Sequence, residues 1–450
     1  MNYKHPSHVK AIGAVNTIAV SENIRNHFEA IADLAKKLNC GTTLWDPSDW
    51  QTLASEAEVK KHLKSWANPA SQKFLCCLVR QIFIQFVLDQ SVGYQNPAVI
   101  NDKLARFFGN WELLNFDAST GAWKSAEGIA TRVDIALKWL TPSVIVPKFA
   151  VVKFQQDHGT PMKEDLLNEI AVGLTLNDMR DYLPCFMTVY GGFYCGYASE
   201  ADMKAKNFAA LCKNNSNMHA CMVSEWIENK ESIEDFTNDP ARTKEDKEKV
   251  VLMLLFALAE AWDRHKFVHG DLHGNNVIIR ETAFPEDYSF VFRGQTLTIN
   301  TKWVPVVIDY GMSSVEWNGK KLTPIFENDT QKDWWACNNQ TNKAQCAAEN
   351  LNANGADLGG YDIIRLFATG GLNVGALGQE IIDLINKCFY NGAYEYTVGG
   401  RLSASAGNAD KFSKQGIAFS KDVTANPMCA DSFLGELLKV ARIRSLCGLP

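Results

Sequence analysis

Three oxygen-bearing side chains, Asp271, Asn276 and Asp309, have the types and spacing for metal-assisted phosphate chemistry. The first two lie five positions apart within Phe267-Val268-His269-Gly270-Asp271-Leu272-His273-Gly274-Asn275-Asn276-Val277-Ile278-Ile279. There an apolar helix should end, a polar loop follow, and a short strand lead away. The third closes an apolar run, Val306-Val307-Ile308-Asp309-Tyr310-Gly311. Hard oxygens at strand ends and in a tight loop suit magnesium, which usually shares its coordination shell with substrate phosphates. His265, His269 and His273 recur every four residues and could line a helix as zinc ligands. Gly270 and the polar loop argue against a continuous helix, so a structural role for His269, supporting the Asp309 region, is the better reading.

These groups need elements to hold them. Lys247 to Lys266 reads as a long helix, apolar nearly all round and therefore buried. Short β-runs are expected at Asn276–Ile279 and Val304–Asp309, with a hairpin insert between them turning at Arg293-Gly294-Gln295. Upstream, Val144 to Phe154 carries a strand signal and Glu164 to Leu176 a helical one. Phe186–Tyr197 and Ala220–Ile227 are strand-like, with Gly191-Gly192 expected to mark a turn and Asn214–Asn217 a loop. From Ser21 to about Asn110 the spacing is helical: Ile24, Phe28, Ile31, Leu34 and Leu38 share one face, and Leu75 to Leu88 forms a second apolar helix. Residues 330–360 look irregular, and helices resume near Tyr361, Gly378–Phe389 and Ser432–Arg444. A β-rich part followed by a helical part indicates α+β segregation.

Composition excludes several classes of protein. The 450 residues are 46% hydrophobic and 21% charged, which supports sizeable cores and rules out disorder throughout. The net charge of −6 gives no global attraction for polyanions, and no basic patch longer than Lys244–Lys249 occurs, so no nucleic-acid partner is expected. The longest apolar stretch, Val250–Ala259, is too short to span a membrane. The opening Met1-Asn2-Tyr3-Lys4-His5-Pro6 lacks the apolar run of a secretion signal. Twelve scattered cysteines without a Cys-x-x-Cys pair read as reduced thiols, hence a cytoplasmic setting.

His269-Gly270-Asp271-Leu272-His273, with Asn276, resembles the catalytic loop of the protein-kinase-like superfamily, and Asp309-Tyr310-Gly311 resembles its Asp-Phe-Gly motif. The resemblance implies Asp271 as catalytic base and Asn276 and Asp309 as magnesium ligands. Ala150-Val151-Val152-Lys153-Phe154 is similar to the strand whose lysine holds the nucleotide phosphates, which nominates Lys153. Of Glu164 and Glu169 in the next helix, Glu169 is the preferred partner for that lysine because it sits in the helix body. Met222-Val223-Ser224-Glu225-Trp226-Ile227 resembles the strand and hinge that meet adenine, with Ser224 as gatekeeper and Glu225, Trp226 and Ile227 around the base. Asp362 resembles the buried aspartate that anchors the helical lobe. The implied fold is α+β and bilobal. A helical extension spans 1–110, a β-rich lobe 111–228 and a helical lobe 229–450. The implied activity is transfer of the γ-phosphate of ATP, with Mg2+, to a serine or threonine of a protein. The form of both motifs looks most like the divergent kinases of large DNA viruses, which implies the host cytoplasm or a virion as location.

Departures from the family pattern keep two other readings open. Gly128 alone represents the glycine-rich loop, although a phosphate nest usually needs several glycines. That favours a pseudokinase or scaffold. Gly270 replaces the usual Arg, which implies activity independent of activation-loop phosphorylation. His273 stands where protein kinases typically place Lys, and no Ala-Pro-Glu follows Gly311. Both favour a small-molecule kinase.

Overall fold

The structure, a computed structural model, describes residues 17–36, 108–113, 116–117, 122–123, 128–135, 149–155, 165–180, 183–196, 218–228, 231–324, 394–396, 402–404 and 430–449, with single positions 362, 366, 372, 377 and 380. The expected helix at Leu75–Leu88, Glu164, the Asn214–Asn217 loop and most of 330–389 lie outside the described residues. The chain divides into two compact units, Met1–Thr175 with Thr188–Trp226, and Leu176–Met187 with Ile227–Pro450. Leu176–Met187 thus groups with the second unit, although by number it falls within the stretch 111–228.

The first unit contains α1 (Thr17–Lys36), β1 (Phe108–Leu113), the short pair β2 (Phe116–Asp117) and β3 (Ala122–Trp123), β4 (Gly128–Ile135), β5 (Phe149–Gln155), α2 (Asp165–Leu176), β6 (Val189–Gly196) and β7 (Met218–Glu225). Its five-stranded sheet has the order β1-β4-β5-β7-β6, and every neighbouring pair is antiparallel. On the central strand β5, Ala150, Val152 and Phe154 are buried while Val151 and Lys153 are only partly so. That is the period-two alternation of a pleated strand, and it sends Lys153 to the other face.

Gly191-Gly192 is not a turn. Both residues lie inside β6, beside an irregularity in its pairing with β7 between Val189 and Gly191. The physical reason is close approach rather than chain reversal. A Cβ on Gly192 would meet the Cys221 carbonyl oxygen and Ile170 Cδ1, each at 2.4 Å. Glycine therefore lets α2 settle onto the sheet.

The second unit opens with α3 (Ile233–Asn238) and α4 (Lys244–His265). α4 begins three residues before the expected Lys247 because Thr243 caps it: the hydroxyl accepts from Asp246 N–H at 3.1 Å and donates to the Asp246 carboxylate at 2.6 Å. Val250 to Ala259 are all buried, so this helix is the centre of the unit's core. It stops at Lys266, whose left-handed backbone (φ 49°) turns the chain while Phe267 N–H returns to the Ala261 carbonyl at 3.2 Å. The sharp stop delivers Val268 and His269 directly into the polar loop.

Beyond the loop, the two short β-runs and the insert expected between them form one continuous hairpin. Its strands are β8 (Val277–Phe292) and β9 (Gln295–Val307). A bulge between Glu281 and Glu286 lets the strands keep pairing across the insert. The expected turn at Arg293-Gly294 is present, with φ of 49° and 77°. The outer half is not loose, because Phe256 of α4 stacks on Phe290 at 5.2 Å and Thr298 N–H donates to the Cys447 carbonyl at 3.0 Å. Further on come β10 (Val315–Trp317), β11 (Lys320–Leu322), β12 (Tyr394–Tyr396), β13 (Leu402–Ala404), α5 (Ala430–Leu437) and α6 (Ala441–Leu446). The helix expected over Ser432–Arg444 is thus two helices. Arg442 of α6 pairs with buried Glu248 of α4. Among the described residues no helix is long and apolar enough to cross a membrane.

Candidate functional site

In the first unit the strand lysine and the helix glutamate meet. Lys153 Nζ lies 2.9 Å from Glu169 Oε2, with side-chain exposures of 14% and 1%. Nearly complete burial of the carboxylate makes the pairing obligatory, since an isolated charge there would pay a large desolvation cost. Lys153 is held from both sides, opposite Ala130 of β4 and Met222 of β7. Glu169 is held by a helix whose residues from Leu166 to Leu176 are all buried. Gly128 opens β4 opposite Gln155, two positions along the ladder from the Lys153 pairing.

The segment expected to meet adenine is tied to its neighbour. Glu225 N–H donates to the Thr188 carbonyl at 2.9 Å, and Thr188 N–H donates to Glu225 Oε1 at 2.8 Å. The Glu225 amide is therefore committed to Thr188. Ser224 is buried beside it. Arg132 of β4 stacks its guanidinium over both Phe149 and Trp226, at 4.8 and 5.3 Å from the ring centres.

In the second unit the polar loop is fixed by hydrogen bonds. The Asp362 carboxylate accepts from His269 N–H at 2.6 Å and from Gly270 N–H at 2.9 Å. His269, fully buried, donates from Nε2 to the Ile308 carbonyl at 2.8 Å, and its Nδ1 accepts from Asp271 N–H at 3.2 Å. Both nitrogens are thereby used in the neutral tautomer. Burial agrees with this, pushing the imidazole below its ordinary pKa. A zinc role would cost His269 one of these bonds, and among the described residues no three His, Cys, Asp or Glu side chains form a metal-binding group.

Asn276 completes the loop. Its Nδ2 donates to the Asp271 carbonyl at 2.9 Å, and its own carbonyl accepts from Ile308 N–H at 3.0 Å. The amide nitrogen is thus turned toward the loop, leaving Oδ1 as the acceptor suited to a hard cation. Asp309, next in line, adopts a left-handed backbone with φ 64° and ψ 73°. Asp tolerates that region better than most residues, so the strand can end there. Tyr310 anchors the bend: its buried hydroxyl donates to the Val307 carbonyl at 2.9 Å and approaches the Met187 carbonyl at 3.4 Å. The Asp271 carboxylate is about one-fifth exposed, with His273 Nε2 at 3.8 Å from its Oδ2.

Sequence reasoning missed Gly192, the Arg132 stack, the Tyr310 hydroxyl anchor and the bond from His27 Nε2 to Asn168, at 2.9 Å, on the residue next to Glu169. Only Gly192 left a local signal, and that signal was misread as a turn. A cavity of about 410 Å³ beside the hairpin tip, lined by Phe256, Asp263, Arg264, Phe290 and Arg293, contains none of the expected site residues.

No family model matches the chain. It is similar to Probable kinase 098L of Invertebrate iridescent virus 3, at 27% identity over 161 residues. The match covers 35% of this chain and 26% of that relative, so about a quarter of the relative's length is spanned. This is a kinase-like relationship over part of the chain.

Proposed function

We propose that the protein is an ATP-dependent phosphotransferase, and that its acceptor is a serine or threonine hydroxyl of a protein. The observation that carries this reading is the polar loop, in which Asn276 pins Asp271 while its carbonyl fixes the residue before Asp309. The similarity to a viral protein named as a probable kinase supports the same class.

The chemistry of the residues suits a magnesium nucleotide: in the second unit Asn276 Oδ1 and the Asp309 carboxylate are hard oxygens, and in the first Lys153 is a cation held in place by Glu169. Magnesium, when bound, would neutralise charge developing on the phosphoryl oxygens. Lys153 would orient the α- and β-phosphates, with Glu169 fixing its ammonium. Trp226 and Ile227 would bound the base and Gly128 the phosphate-covering loop. Asp271 would accept the proton of the attacking hydroxyl or orient it. Placement and electrostatics would supply most of the rate. A small-molecule hydroxyl as acceptor is the second reading, favoured by His273 beside Asp271 in place of a lysine.

The test is transfer from labelled ATP, with protein acceptors and metabolite pools assayed separately. Asp271→Asn keeps the side chain's size and should lower turnover by about 10²–10⁴-fold with an unchanged urea midpoint. Undiminished transfer by that variant removes the reading.

A further inference from the structure

α1 makes a buried polar contact that its apolar stripe does not explain. Ile24, Phe28, Ala30 and Ile31 are buried on one side, while Glu22 and Arg25 face solvent on the other. Within the buried side His27 is fully enclosed. Its Nδ1 donates to the Asn23 carbonyl at 2.7 Å, and its Nε2 lies 2.9 Å from Asn168 Oδ1. Asn168 is itself fully buried, on α2. A bond to Asn23 fixes the proton on Nδ1, and burial keeps the ring neutral. Nε2 and the Asn168 side-chain amide thus face each other at hydrogen-bond distance, both shielded from water.

Such a pair is specific where an apolar contact would not be. Two buried polar groups separated by 141 residues meet each other, and sliding or rotating α2 would break that buried bond. Asn168 directly precedes Glu169, whose carboxylate meets Lys153 at 2.9 Å. Any rotation that breaks the first contact therefore turns the second. From the opposite side Gly192 admits Ile170, the residue after Glu169, against the sheet. α2 is thus fixed on both sides of its functional glutamate.

We propose that α1 is a built-in positioning element for the Lys153–Glu169 pair, with His27 acting through Asn168. The proposal deepens the phosphotransferase reading, since it assigns control of nucleotide binding to the segment that precedes the sheet. His27 is a positioning residue and touches no reactant. Displacing α1 loosens Glu169 and leaves Lys153 a more reactive, less ordered amine.

The test uses the full chain and two readouts. The first is the rate at which an amine-reactive ester labels Lys153, followed by peptide mass spectrometry, which needs no enzymatic activity. His27→Ala should raise labelling about threefold or more, His27→Gln should restore it, and His27→Ala should add nothing in a Glu169→Gln background. The second is KM for ATP, which should rise roughly five- to tenfold in His27→Ala with a smaller change in kcat. Asn168→Ala gives the same comparison if His27→Ala does not fold. Unchanged labelling in a folded variant, or an equal rise in the Glu169→Gln background, overturns the proposal. A wild-type protein that transfers no phosphate yet shows the labelling coupling refutes the enzymatic reading alone and leaves the positioning role standing.

Discussion

The two units hold their functional groups by different means. In the first, Lys153 and Glu169 stand on a central strand and a buried helix, and each neutralises the other. Packing sets their geometry, and the His27–Asn168 contact beside them is enclosed. In the second, Asp271, Asn276 and Asp309 stand on loops and strand ends, positioned by a web from Asp362 through His269 to Ile308 and Asn276. The lesson is that a buried ion pair can rest on regular elements alone. Side chains on loops and strand ends sit where the backbone is free to turn, and hydrogen bonds replace the missing ladder.

The contrast can be broken most strongly at Asp309. Asp309→Asn keeps a side chain that tolerates the left-handed backbone while removing the charge, so turnover should fall by at least about 10²-fold with little loss of stability. Comparing turnover with the urea midpoint separates the two effects. Asp362→Ala should do the reverse. It leaves two buried N–H groups without their acceptor, costing roughly 3 kcal/mol in urea unfolding of the second unit. An unchanged midpoint would show that the loop is held by packing after all.

Acid provides the mildest probe, and both units should feel it. His27 and His269 are each buried, with pKa values pushed below the ordinary value of about 6.5 by desolvation. Above that pH neither the folded nor the unfolded ring is protonated, so neither contributes a slope. Below it the unfolded ring takes up a proton that the folded ring resists. Stability should therefore fall by up to about 1.4 kcal/mol per pH unit for each histidine as pH drops below 6.5. Urea midpoints at pH 7.5, 6.5 and 5.5 measure this, and His27→Gln should remove one of the two contributions.

Local signals were enough for much of the scaffold. Apolar periodicity marks α1 and α2, an all-round apolar run marks α4, and Gly294 marks its turn because glycine adopts positive φ without strain. The order of the loop around Asp271 and of the strand ending at Asp309 nominates the chemistry. Local chemistry misled at Gly191-Gly192, where glycine signals either a turn or a close approach and only the neighbouring helix decides. It also gave no hint that Glu225 would spend both its amide and its carboxylate on Thr188.

What the order of residues decided by itself is the inventory: a strand lysine, a helical glutamate, a loop aspartate and asparagine, and an aspartate at a strand end. These are properties of short segments, where side-chain type and spacing suffice. What only the folded chain decided is which of them meet and what holds them. Lys153 finds Glu169, His27 finds Asn168, and Asp362 finds the loop amides across 92 and 93 positions. Contacts at such separations depend on long-range packing and on the burial that makes an unpaired polar group costly, and no local pattern encodes either.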